Sequence, residues 1–194
     1  MGYTNYHKHT EIPQAVWNKI VGDCKKLYAN MPEHSESSGG YYSDAPLLLD
    51  GCVRERRKGS CEPVFTADEI WFNGTDPEWG TKEGHPELAN ETFTLFRRGS
   101  DGFCYCKTNR KPYDLMVQAC LLVYRHYSPN TINLGSDGNE DEWQVTIDFV
   151  HNVLGYWTHP FNEPEDIPMS DEQKSKIQGA MLKIEEDIGF AIEE

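Results

Sequence analysis

The sequence predicts an α+β fold: a small, mostly antiparallel sheet packed by about three helices, with a further helix appended at the C-terminus. Three observations carry that prediction. The run from Pro112 to Tyr127 is long enough for a helix and apolar on nearly every side, which marks a buried helix. Two other stretches, 13–30 and the one after Gly138, repeat apolar residues at helical spacing along one stripe. Between them lie short segments rich in aromatic and β-branched residues, bounded by Gly, Asn and Asp, which read as strands.

Taken in order, the first helix is expected from Pro13 to Asn30. Pro suits a first helical position, and Trp17, Ile20, Val21, Cys24, Leu27 and Tyr28 fall on one face. Residues 31–62 are rich in Ser, Gly, Pro and charge and read as an irregular excursion around Leu47-Leu48-Leu49. Strands are expected at Glu69–Asn73, Thr92–Arg98 and Phe103–Lys107. The tight Gly99-Ser100-Asp101-Gly102 connection predicts that the last two form a hairpin. A polar loop, 74–90, separates the first from the second. After the buried helix, Thr131–Leu134 reads as a short strand. The next helix places Trp143, Ile147, Val150 and Leu154 on one stripe, with Gly155 as its C-terminal stop.

The tail is expected to be a Pro-containing linker followed by a helix. Ser170-Asp171-Glu172-Gln173 fits a capping box, and Ile177, Ala180, Met181, Ile184 and Ile188 form a stripe that would dock on the domain or on a second copy. The expected division is therefore a domain over 1–156 and an acidic helical tail over 157–194.

A chain of 194 residues can bury one well-formed core. No apolar run reaches the roughly 18 to 20 residues that span a bilayer, and the opening lacks the pattern of an export signal, so a cytoplasmic protein with reduced cysteines is expected. Formal net charge is -14, of which residues 155–194, with ten Asp and Glu against three Lys, hold -7. That balance disfavours nonspecific binding to nucleic acid, which depends on cations meeting phosphates. It suits instead an acidic surface that imitates nucleic acid and occupies a basic protein, with Glu140, Asp141 and Glu142 extending the negative face of the tail.

Against this acidic background, Lys107, Arg110 and Lys111 form a basic island just before Pro112. A helix N-terminus carries unpaired N–H groups that favour anions, and neighbouring cations add to the attraction, so a phosphate or carboxylate is expected there. Tyr105 and Tyr113 flank the island, and with Tyr3 and Tyr6 they could stack on a base. The plain alternative is that Lys107 and Arg110 pair with Glu91, Asp114 or Asp137. A catalytic reading would use Glu91, Asp114 and Asp137 as acid, base or metal ligands and Lys107 to stabilise developing charge. Cys104 with Cys106, His7 with His9, and Cys52 with Cys61 are the pairs spaced for a metal. None has common zinc spacing, and no Gly-rich nucleotide-binding pattern occurs, so neither metal nor cofactor is expected.

Several separated segments share one likeness. Met1-Gly2-Tyr3-Thr4-Asn5-Tyr6-His7, Phe72-Asn73-Gly74, Glu91-Thr92-Phe93, Tyr105-Cys106-Lys107-Thr108, Lys111-Pro112-Tyr113-Asp114 and Ser136-Asp137-Gly138 run in an order that resembles a group of small bacteriophage and bacterial proteins. Those proteins typically begin M-G-Y-T-H-Y-W and carry an F-C-K-T-x-R-K-P-Y-D block. Asn5 and His7 depart from it, standing where His and Trp are usual. The resemblance covers about residues 1–156 and implies a shared architecture and a phage-type accessory role in the host cytoplasm, with counter-defence as one form of it. It implies no particular reaction. The sequence reading is accordingly a binding protein for a small anionic or nucleotide ligand or a host protein, with an enzyme acting on a phosphorylated metabolite and an acidic mimic as the alternatives.

Overall fold

The buried helix organises everything around it. In a computed structural model, which describes residues 2–35, 42, 44–51, 62–75, 87–100 and 102–161, helix α2 (Asp114–Tyr127) is buried at every position from Asp114 to Arg125. Helix α1 (Gln14–Ala29) packs on it through Trp17, Ile20, Val21, Cys24 and Leu27, and the Trp17 indole donates to the Thr66 carbonyl at 3.0 Å. Helix α3 (Gln144–Leu154) covers another side, entered through a 3-10 turn (Glu140–Trp143) that Asn139 and Glu142 close as a capping box. Gly155 ends α3 in the left-handed region, at φ 80°, as its position predicts.

Strand pairing is antiparallel throughout the described residues but divides into two sheets. The first has the order β6-β1-β7, with β1 (Thr4–His9) between β6 (Cys104–Lys107) and β7 (Ile132–Ser136). The second is built on β4 (Glu69–Gly74), which pairs with β2 (Leu49–Asp50), β3 (Val64–Phe65) and β5 (Phe93–Phe96). Both β3 and β5 pair with Ile70 and Trp71, so they flank β4 on opposite edges.

The expected hairpin between 92–98 and 103–107 does not form. β5 joins β4 and β6 joins β1, so the Gly99 turn carries the chain from one sheet to the other. The segment leaving β1 takes the place a returning strand would need. Ser100 donates to the His9 carbonyl, Ile12 to the Arg97 carbonyl, and Thr10 bridges Gly99. A Cβ at residue 99 would lie 2.8 Å from the Thr10 carbonyl carbon, and its φ is +78°, so glycine serves both the turn and the close approach.

The unit containing these elements is Met1–Phe161; a second unit, Asn162–Glu194, lies outside the described residues, and with it the capping box at Ser170 and the expected tail helix. Residues 157–161, expected as linker, belong to the first unit, and the segment that begins at Tyr156 packs. Tyr156 stacks on His126 with centroids 3.6 Å apart, and Trp157 stacks on His151 at 3.7 Å.

Candidate functional site

β1 has a polar inner side. Its alternation turns Asn5, His7 and His9 into the protein and Tyr6 and Lys8 outward, a strand with no aliphatic residue on its buried face. Asn5 meets Asp114, the first residue of α2, which is 1 % exposed. The Asn5 amide and the Thr108 hydroxyl each donate to Asp114 Oδ1 at 2.7 Å, and Gln118 Nε2 donates to Oδ2 at 3.0 Å. Gln118 also donates to the Tyr3 hydroxyl at 3.2 Å and accepts from Thr146 at 2.6 Å. The guanidinium of Arg110 lies over the Tyr3 ring, 4.2 Å from its centroid, and pairs with Glu142.

This is a closed network. Burial pushes Asp114 up to about 6, opposed by the hydrogen bonds from Thr108 and Asn5 and by the charge of Arg110; burial and the nearby Asp114 push Tyr3 to about 12. A proton-transfer group must come within hydrogen-bond reach of a substrate. Asp114 instead spends both oxygens on side chains from β1, the β6–α2 connection and α2, which makes it a tie between elements.

The anion site expected at the start of α2 is not available. The amides of Asp114, Leu115 and Met116 donate to the carbonyls of Lys111, Pro112 and Tyr113, so the preceding turn has taken the donors a phosphate would use. That turn doubles back through Asn109 and Arg110, both left-handed at φ 55° and 58°, and is held by the Thr108 and Asn109 amides donating to the Tyr3 carbonyl at 3.0 Å. Lys111 is buried with its ammonium on the Ala89 carbonyl, and burial lowers its pKa. Tyr113 is buried too, donating to the Glu91 carbonyl at 2.8 Å.

Nor do the acidic candidates converge. Glu91 lies beside β6 and accepts from the Lys107 amide at 2.7 Å, while Asp137 accepts from the outward Tyr6 hydroxyl at 2.7 Å. Asp114 and Asp137 are thus held by successive residues of β1, Asn5 and Tyr6, which point to opposite sides of one sheet. The acid, base and ligand set of Glu91, Asp114 and Asp137 is not assembled. Two of the three central acidic residues are also spoken for: Glu142 by Arg110 and Glu140 by His159, the latter at 2.7 Å.

The outer side of the same sheet carries exposed aromatic residues. Here the structure brings together Tyr6, Tyr105 and Lys107 from the sequence reading and adds Phe103 and Lys8, which that reading passed over. Phe103 and Tyr105, 64 % and 60 % exposed, are the most exposed large hydrophobic residues described. Tyr6 stacks on Phe103 with centroids 5.2 Å apart and planes 26° apart, and Phe103 lies 6.5 Å from Tyr105. Tyr6 pairs with Gly135 on its other side, where the absence of a side chain leaves its flank clear. Lys107, opposite Thr4, stands at one end of this aromatic surface, and Lys8, opposite Asn133, at the other. The signal was present as alternation, Phe103-x-Tyr105-x-Lys107 beside Tyr6-x-Lys8.

Further along the inner side, His7 is 2 % exposed and neither ring nitrogen has a hydrogen-bond partner; His9 stacks on it at 5.3 Å and donates from Nε2 to the Phe96 carbonyl at 2.8 Å. Burial and the neighbouring His9 lower His7 to about 3. Cys24, Cys104, Cys106 and Cys120 are free thiols, and no group of three or more His, Cys, Asp and Glu is placed to hold a metal among the described residues. The Cys52 and Cys61 pair lies outside the described residues. No helix among them is long and apolar enough to cross a membrane. No protein-family model, curated protein or solved structure matches the chain.

Proposed function

We propose that the chain is a binding protein, and that it takes a planar, anionic ligand of the nucleotide class on the outer face of the β6-β1-β7 sheet. One observation carries this reading: three contiguous aromatic rings, the exposed Phe103 and Tyr105 and the half-buried Tyr6, lie between two lysines on a single sheet face. Contiguous exposed apolar surface costs solubility without helping the fold, and it marks an interaction site. Aromatic faces stack on planar rings, and Lys107 and Lys8 supply the charge that a phosphate needs. The acid and base candidates are meanwhile bound into structural contacts, which removes the motive for an enzymatic reading. The resemblance to the phage group extends this to an accessory role in a host cytoplasm, since its Tyr6 and Tyr105–Lys107 segments contribute to the face.

Thermal unfolding with a panel of mononucleotides, the matching nucleosides and inorganic phosphate tests it. A nucleotide present at about 100 times its Kd stabilises by about 2.7 kcal/mol, roughly 5 to 10 °C for a domain of this size. The shift should be largest for nucleotides, smaller for nucleosides, and absent in a Phe103→Ala, Tyr105→Ala double variant. A wild type that no nucleotide stabilises ends this reading.

A further inference from the structure

Resting on that reading, we infer that the ligand of the aromatic face is a short single strand of nucleic acid, spanning from Lys107 to Lys8, in preference to a free mononucleotide. The distance between the two cations decides. Lys107 pairs with Thr4, and Lys8 lies four residues further along β1, so the two stand about 14 Å apart along the strand direction. One nucleotide reaches one cation. Two or three linked nucleotides reach both, with their bases over the rings between.

The face has the form such a ligand needs. Its rings follow one another at 5.2 and 6.5 Å, with Phe103 and Tyr105 each exposed, so a lone base meets one stacking partner whereas successive bases of a strand each find a ring. The charged groups around it set the path. Asp137, at the β7 end and hydrogen-bonded to Tyr6, repels phosphates from that corner, and Glu91 is turned to the Lys107 amide at the β6 margin. The backbone is therefore led from Lys107 past Tyr105 and Phe103 to Lys8.

The net charge of -14 constrains the mode of binding. With two lysines on the face among the described residues, little affinity comes from counterion release, and stacking carries most of it. A duplex, whose bases are already stacked inside, has nothing to offer the rings. Binding should thus be specific for single strands and only weakly dependent on salt: two phosphate contacts give a slope of log K against log salt of about -1.4.

Fluorescence anisotropy of a labelled eight-nucleotide mixed-sequence DNA strand with the full chain provides the test, with the unlabelled duplex and mononucleotides as competitors. The single strand should bind at least tenfold more tightly than a mononucleotide, and the duplex should fail to compete. Phe103→Ala and Tyr105→Ala should each weaken binding about five- to a hundredfold. Lys107→Ala and Lys8→Ala should each flatten the salt slope by about 0.7. All four positions are exposed, and an unchanged unfolding midpoint shows that each variant is folded. Mononucleotides that bind as tightly as the strand overturn this inference and leave the nucleotide-binding reading intact. Binding of neither overturns both. A slope steeper than about -4, or equal binding of duplex, places the contact elsewhere and also overturns it.

Discussion

The two sides of the β6-β1-β7 sheet invert the usual arrangement. Its inner side is lined at β1 by Asn5, His7 and His9, its outer side by Tyr6, with Phe103 and Tyr105 beside it. Buried polar groups are usually hydrogen-bonded; the Asp114 network meets that condition with donors from three chain segments, whereas His7 is held as a ring packed against His9 and Phe93. Exposing aromatic rings has no such structural remedy. The comparison teaches that polarity alone is a poor guide to function here: the charged cluster is architecture, and the apolar face is the part on which the proposed ligand site rests.

Removing the hub should have the largest effect. Asp114→Ala removes the acceptor of the Asn5 and Thr108 donors and one of the two acceptors of the Gln118 amide, each unmet N–H or O–H costing on the order of 1 to 3 kcal/mol, so a loss of at least about 3 kcal/mol is expected in urea unfolding. Asp114→Asn, which keeps one acceptor oxygen, should lose less. Equal stability of the alanine variant and wild type would make the network ornamental.

Acid comes next, through His7. Its folded pKa, about 3, lies below the ordinary 6.5, so the unfolded chain takes up a proton that the folded one refuses. The stability this contributes is complete above 6.5 and is lost as pH falls toward 3, at about 1.4 kcal/mol per unit and so about 2 kcal/mol by pH 5. Asp114 has the opposite sign. Its pKa is raised from 3.8 to about 6, so its contribution is present below 3.8 and is lost as pH rises through 6. The unfolding midpoint of His7→Phe, compared with wild type between pH 7 and 5, should fall less steeply. Parallel curves would remove His7 as the acid-sensitive group.

A smaller effect separates strain from contact at Arg110. Arg110→Ala loses both the Glu142 pair and the stacking on Tyr3 while keeping a Cβ at φ 58°. Arg110→Gly loses the same contacts but removes the left-handed penalty, so it should be the more stable of the two by about 1 kcal/mol. The reverse order would show that the turn is not strained.

The outer face should show the least effect on stability. Phe103→Ser and Tyr105→Ser are expected to change unfolding free energy by no more than about 0.5 kcal/mol, in contrast to any change at Asp114. A large loss at either would recast the face as part of the fold.

Much of the secondary structure was legible because its signals are local. The stripe from Trp17 to Leu27, the all-apolar run of α2 and the Gly155 stop are properties of neighbouring residues, and the helices stand within a few residues of expectation. β1 was not legible as a strand, because its inward residues are Asn5, His7 and His9 and no apolar alternation betrays it. β2 and β3, two residues each, carry too little pattern to detect. The hairpin failed for a different reason: a Gly-containing turn permits a reversal, but β1 lies more than 90 residues away and claims the edge of β6.

The same division holds for the site. Sequence alone was enough for α1, α2 and α3, the Gly155 stop, the segments of β4 to β7 and the residues rich in chemistry, since backbone preference and apolar spacing act over a few residues. Tertiary structure alone decided which tyrosines reach the surface and which are buried, Tyr6 and Tyr105 against Tyr3 and Tyr113, and whether a cation is offered or consumed. The side of a sheet that a residue faces depends on which strand pairs with which and in what register, and those partners lie far apart along the chain.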